Sequence, residues 1–123
     1  MAHAPAATVR KVFPASTLIG EKVMNPHKED LGRIEELMID PYSGRIAYAV
    51  LSFGGFLGVG DKLFAIPWSA LSLDAAGKRF ILNISKDLLD RAPGFDKSNW
   101  PDMSDPAWGA EVYTYYGYKP YWD

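Results

Sequence analysis

The sequence predicts a mainly β protein: a small, strongly bent antiparallel β-barrel with a short helical, aromatic-rich C-terminal extension. Three observations predict it. Two β-rich stretches, 31–40 and 45–53, flank the turn Asp40-Pro41-Tyr42-Ser43-Gly44. Further short apolar runs, closed by turn residues, follow in 62–73 and 78–84. From Phe95 onward the chain changes to Trp and Tyr punctuated by Pro.

The turn has a mechanism. Pro41 presets φ near −65° for the first central position, and Gly44 can take the left-handed conformation that returns the chain to a strand. Beyond it, Ile46, Tyr48 and Val50 point to one side and Ala47, Ala49, Leu51 and Phe53 to the other. Both faces are apolar, whereas a strand with one wet face alternates. This strand is therefore expected to be covered twice, by the core and by the chain's own tail or a second subunit. In the incoming strand Ile34 lies on one parity and Leu37 and Ile39 on the other. A phase change near Glu35 and Glu36 predicts a β-bulge, which bends the strand toward barrel closure.

Gly54, Gly55, Gly58 and Gly60 punctuate the next loop. No Gly-Lys-Ser/Thr follows and the dinucleotide spacing is missing, so a hairpin loop is favoured over a phosphate cradle. Phe56 and Leu57 at its tip are candidate interaction residues. Leu63 to Ile66 form a short apolar strand; Pro67 cannot donate to a ladder and marks an edge or a break. Trp68, Leu71 and Leu73 then resume the pattern.

The segments LIGEKVMN, LGRIEELMIDPYSGRIAYAVLSFGG and DKLFAIPWSALSL resemble the PRC-barrel family, over 15–90. That family includes the cytoplasmic domain of the photosynthetic reaction centre H subunit, the C-terminal domain of RimM and small stand-alone bacterial proteins. The stand-alone type is the most similar, through the loop GGFLGVGDK and the aromatic tail. The resemblance implies a small bent antiparallel barrel and brings no catalytic residues with it.

With 123 residues, one domain with a tail is expected: a segment 1–14, flexible or forming a short edge strand over Val9–Phe13, a barrel over 15–94 and an extension over 95–123. Apolar residues make up 48%, enough for a packed core. A net charge of −2 and a pI near 5.6 argue against a general nucleic-acid binder. With no cysteine in the chain, disulfides and thiolate chemistry are excluded. No apolar run is long enough for a membrane helix and no signal-peptide core is visible, so the cytoplasm is the default compartment.

Residues 18–24 read as the first barrel strand, and Asn25-Pro26 as a turn. His27, Glu29 and Asp30 are residue types that hold divalent ions. Neighbours in one turn converge on an ion only with distant ligands, so a charged loop is favoured and no metal is expected. Lys78 to Ile84 reads as the last strand, and Ser85 caps a helical turn. In the tail, Asp105-Pro106 starts a helix and Gly117 stops it, with Trp108, Val112 and Tyr115 or Tyr116 on one stripe. The tail aromatics could stack on bases or sugars. Packing on the barrel or on a second subunit is favoured, because so many aromatics do not stay exposed without association.

Only His3 and His27 are available, no Gly-x-Ser-x-Gly elbow exists, and Glu35 and Glu36 point to opposite faces of a strand. The chain is therefore read as a non-enzyme with no catalytic, cofactor or metal site. The function expected is a protein-interaction and assembly module that self-associates, with a homodimer as first expectation. Its interaction candidates are Phe56, Leu57, Tyr48, Trp100, Trp108 and Tyr115. The alternatives are an RNA- or ribosome-associated factor, implied by the RimM resemblance, and a small-ligand binder using the tail aromatics.

Overall fold

A computed structural model describes residues 12–54, 61–74 and 78–123. The chain runs α1 (Ala15–Leu18), β1 (Lys22–Met24), β2 (Asp30–Asp40), β3 (Arg45–Gly54) and β4 (Asp61–Pro67). A 3₁₀ turn (Trp68–Ala70) follows, then β5 (Leu71–Asp74), β6 (Arg79–Leu82), α2 (Lys86–Asp90) and α3 (Pro106–Tyr116). The strands form one curled, half-barrel sheet in the order β4-β3-β2-β1-β6-β5. All its pairs are antiparallel except β1–β6, which is parallel.

The hairpin forms as its turn residues dictate. Gly44 sits at φ +73°, and its N–H reaches the Asp40 carbonyl at 2.8 Å. The pairing of β2 with β3 slips between Ile34 and Glu36, where the change of parity predicts a bulge. A second slip occurs on the other edge, where β1 pairs Val23 with Gly32 and Met24 with Asp30. Together these bring Leu31, Ile34 and Leu37 to the core at a spacing of three, which an unbroken strand of period two cannot do. Gly32 makes the bend possible. Its φ is +106°, and a Cβ there would lie 2.0 Å from the Ser52 carbonyl oxygen. Ile39 departs from expectation. It lies one residue from the end of β2, where the register shifts again with Ala47 of β3 as the extra residue, and 55% of its surface is exposed.

Residues 47–52 of β3 are buried without interruption, as a doubly apolar strand requires. The Tyr48 face is covered by α3 of the same chain: the Tyr48 ring lies 5.4 Å from both Trp108 and Tyr113, edge on. Its cover is thus the chain's own tail, and the burial of β3 needs no second subunit. The sheet edge at β4 is closed by Phe95, whose N–H and C=O pair with Leu63 at 2.8 and 2.9 Å. Pro67 ends that edge strand, where its missing N–H costs no ladder bond.

Three local expectations are corrected. Residues 15–18 form a helical turn, with Ile19 N–H bonded to the Ala15 carbonyl, so the first strand shrinks to Lys22–Met24. Leu18 and Ile19 still pack on the core, but from this turn. The last strand ends at Leu82 because Ile84 N–H folds back onto the Leu82 carbonyl and leads into α2, which Ser85 caps through Leu88 N–H at 3.1 Å. Val12 and Phe13 lie outside any strand, Val12 almost fully exposed; the rest of the expected edge strand lies outside the described residues.

Candidate interaction site at the hairpin end

The tail reaches the sheet through α3. Asp105 Oδ1 accepts from Ala107 N–H at 3.0 Å, Pro106 occupies the first turn, and Gly117 ends the helix at φ +83°. The buried stripe is Gly109, Val112, Tyr113 and Tyr116. It is rotated by about one position from the expected stripe, and Trp108 is left half-buried on its flank. Gly109 is the reason. A Cβ there would lie 2.6 Å from the Tyr48 hydroxyl and 2.9 Å from the Trp122 ring, so the bare backbone is what fits between them.

Hydroxyl groups anchor this packing. Tyr113 donates to the Ala47 carbonyl at 2.7 Å in a buried setting, and burial pushes its phenol up to about 12. Tyr115 donates to the Leu88 carbonyl at 2.6 Å, tying α3 to α2. The hydroxyls of Tyr48 and Tyr116 are buried, and among the described residues neither has a hydrogen-bond partner. Burial raises both of their pKa values.

The chain then returns to the turn. The Tyr121 hydroxyl donates to Asp40 Oδ2 at 2.6 Å, and the Arg45 guanidinium donates to the Tyr121 carbonyl at 2.7 Å. Asp40 Oδ1 accepts from Tyr42 and Ser43 N–H at 2.9 and 3.3 Å. The Tyr121 bond, helped by these two backbone bonds, holds the Asp40 carboxyl below its usual value, and the same bond raises the Tyr121 phenol. Tyr121 and Trp122 meet edge on at 5.3 Å, and Trp122 leans on Tyr113 at 6.0 Å.

This arrangement leaves a cleft of about 310 Å³ beside the turn, walled by Met38, Ile39, Pro41, Tyr42, Met103 and Tyr121. Asp40 and Ser104 add polar atoms to its lining. Ile39 and Tyr42 are exposed large apolar side chains, Tyr42 by 99%. A rigid turn and a latched C-terminus thus hold an apolar rim in solvent.

Of the residues singled out from sequence, Tyr48 and Trp108 come together. Trp100 packs on Phe95 at 5.3 Å with the rings tilted, and Tyr115 faces α2, so the tail candidates do not form one platform. Phe56 and Leu57 lie outside the described residues. Asn25 is buried and organises the 25–29 loop: its Oδ1 accepts from His27 and Glu29 N–H, and its Nδ2 donates to the Glu29 carboxylate and the Ile84 carbonyl. Glu29 and Asp30 each carry such a local bond, and no group of three or more His, Asp or Glu side chains suited to a metal occurs among the described residues. Sequence reasoning missed Ile39, Tyr42, Met103 and Tyr121. Tyr42 had a signal, since an aromatic residue at the centre of a five-residue turn has no neighbour to hide against.

The chain belongs to the PRC-barrel domain family, whose model matches residues 10–89. Helix α3 and the latch at Tyr121 lie beyond the match. No curated protein matches the chain. Among solved structures it is similar to one described provisionally as a 16S ribosomal RNA processing protein, RimM, from Pseudomonas aeruginosa. That similarity has a TM-score of 0.43 and 20% identity, covering 68% of this chain and 50% of that one. The chain therefore spans about half the length of that neighbour. No helix among the described residues is long and apolar enough to cross a membrane.

Proposed function

We propose that this chain is a non-catalytic interaction and assembly module, working in the cytoplasm through the face at the β2–β3 turn. The observation that carries the reading is the exposure of Ile39 and Tyr42 on the rim of a cleft whose backbone is fixed on both sides. Exposed apolar groups gathered at one place mark docking surfaces, and a pre-formed site loses less entropy when it binds. Self-association is the simplest assembly to test, because closed C2 dimers are the commonest soluble oligomers. Sedimentation equilibrium that returns a monomer at micromolar concentration removes that part of the proposal.

The experiment for the module itself is photo-crosslinking in living cells. A photoreactive phenylalanine analogue replaces Tyr42 in one variant and the exposed Glu111 of α3 in another. A discrete protein adduct from position 42, absent from position 111, is the expected result. No adduct from position 42, or adducts to RNA alone, overturns it.

A further inference from the structure

We infer that the cleft beside the β2–β3 turn receives a short segment of a partner protein, with one large apolar side chain flanked by lysine or arginine. The inference rests on the interaction-module reading and says what kind of partner it takes.

The apolar anchor follows from the walls. Met38, Ile39, Pro41, Tyr42 and Met103 are among the residues that line an open space of about 310 Å³. That is at the small end of ligand sites, which run from ~300 to 1,000 Å³. Two of the walls are methionines, whose flexible thioethers reshape around different side chains. Met103 sits on the 102–105 turn and Met38 on β2, so the cleft is lined by separately anchored segments. The Asp40–Tyr121 bond ties two further lining residues together.

The cationic flanks follow from charge. Asp40 lines the cleft, and no Lys or Arg is among its lining residues. Arg45 lies opposite Asp40 across the β2–β3 ladder and donates to the Tyr121 carbonyl; no ion pair among the described residues involves Asp40. Asp102 and Asp105, both exposed, adjoin along the chain the lining residues Met103 and Ser104. Each accepts a local backbone N–H on Oδ1 at 3.0 Å. An apolar cleft lined by the Asp40 carboxylate, with two exposed aspartates beside its other lining segment, favours a positively charged partner and repels phosphate, because like charges brought together across an interface are costly.

The test uses the full chain labelled with ¹³C at the methionine methyls, read by NMR. The probes are two synthetic peptides, one with phenylalanine between lysines and one with the lysines changed to glutamates. Met38 and Met103 report the cleft. Met24, which packs against Arg79 at 3.6 Å elsewhere in the sheet, is the internal control. The expected result is a saturable shift of the Met38 and Met103 methyls with the lysine peptide, an unmoved Met24, and affinity roughly tenfold or more weaker for the glutamate peptide. Asp40→Asn keeps an oxygen for the turn N–H groups and is expected to weaken the lysine peptide severalfold. Tyr42→Ala is expected to do the same by removing a wall. Equal binding of the two peptides overturns the inference, as does silence of Met38 and Met103 toward both or an equal shift at Met24. In each of these cases a protein adduct from position 42 would leave the module standing with a different partner.

Discussion

Strand β3 and helix α3 lie face to face and are anchored by different means. β3 has a hydrogen-bonded neighbour on each side and an uninterrupted buried run from 47 to 52. Its position is set by backbone ladders and by close approaches such as Gly32 on Ser52. α3 has no ladder. Aromatic rings set edge on and hydroxyls that reach backbone carbonyls hold it: Tyr113 to Ala47 and Tyr115 to Leu88. The difference teaches that one apolar surface can be closed in two ways. Backbone pairing tolerates almost no added volume, while side-chain docking leaves room to yield and even two orphaned hydroxyls.

The largest expected effect probes that tolerance. Gly32→Ala forces a Cβ onto the Ser52 carbonyl and strains a positive φ. A cost of about 3 kcal/mol or more is expected from overpacking and backbone strain together. Gly109→Ala meets the Tyr48 hydroxyl and the Trp122 ring, side chains that can move, and should cost about 1–3 kcal/mol. Urea midpoints of the two variants decide the matter; equal losses would erase the contrast between rigid sheet and yielding tail.

Next come the tyrosines. Tyr113→Phe removes a buried bond to Ala47 and leaves that carbonyl short of a partner, for a loss of about 1–2 kcal/mol. Tyr48→Phe removes a hydroxyl that is buried without a partner among the described residues, and is expected to be neutral or to raise the melting temperature. Two tyrosines whose rings lie 5.4 Å apart in the same interface are thus predicted to differ in sign. A clear loss in Tyr48→Phe would show that its hydroxyl is satisfied in solution.

The pH dependence is smaller and has two limbs. Asp40 is lowered from its usual 3.8, so its contribution is present above that pH and is lost as pH falls through the lower, folded value. Tyr121 is raised from 10.0, so its contribution is complete below that pH and disappears as pH rises through the higher, folded value. Tyr113, raised to about 12, adds to the alkaline limb between 10 and 12. Ultraviolet titration of the tyrosines should therefore show Tyr113 ionising late, with the tail loosening as it does. Tyr121→Phe should flatten the acid limb at the Trp122 fluorescence without changing the ladder of β3.

What was legible in the sequence was what neighbouring residues decide for themselves. Pro41 and Gly44 fix the turn, the parity break reveals the bulge near Glu35, and Asp105-Pro106 and Gly117 mark both ends of α3. What was not legible depends on residues far apart. Ile39 is exposed although it shares Leu37's parity on β2, at the end of the strand where the pairing with β3 shifts again. The buried stripe of α3 is chosen by Gly109 meeting Tyr48, and Tyr113 finds a carbonyl 66 residues away. The cleft shares that origin, since its walls come from β2, the turn, the 102–105 segment and Tyr121. No local pattern joins them.

The central claim is that α3 is an integral part of the folded barrel. Hydrogen exchange on the intact protein, read amide by amide, tests it most directly. Stable docking predicts that Val112, Tyr113 and Tyr116 are protected to the same free energy as Tyr48 to Leu51, because the two elements then open together. Exchange of the α3 amides at free-peptide rates, while β3 stays protected, would contradict the account and make the tail a separate arm.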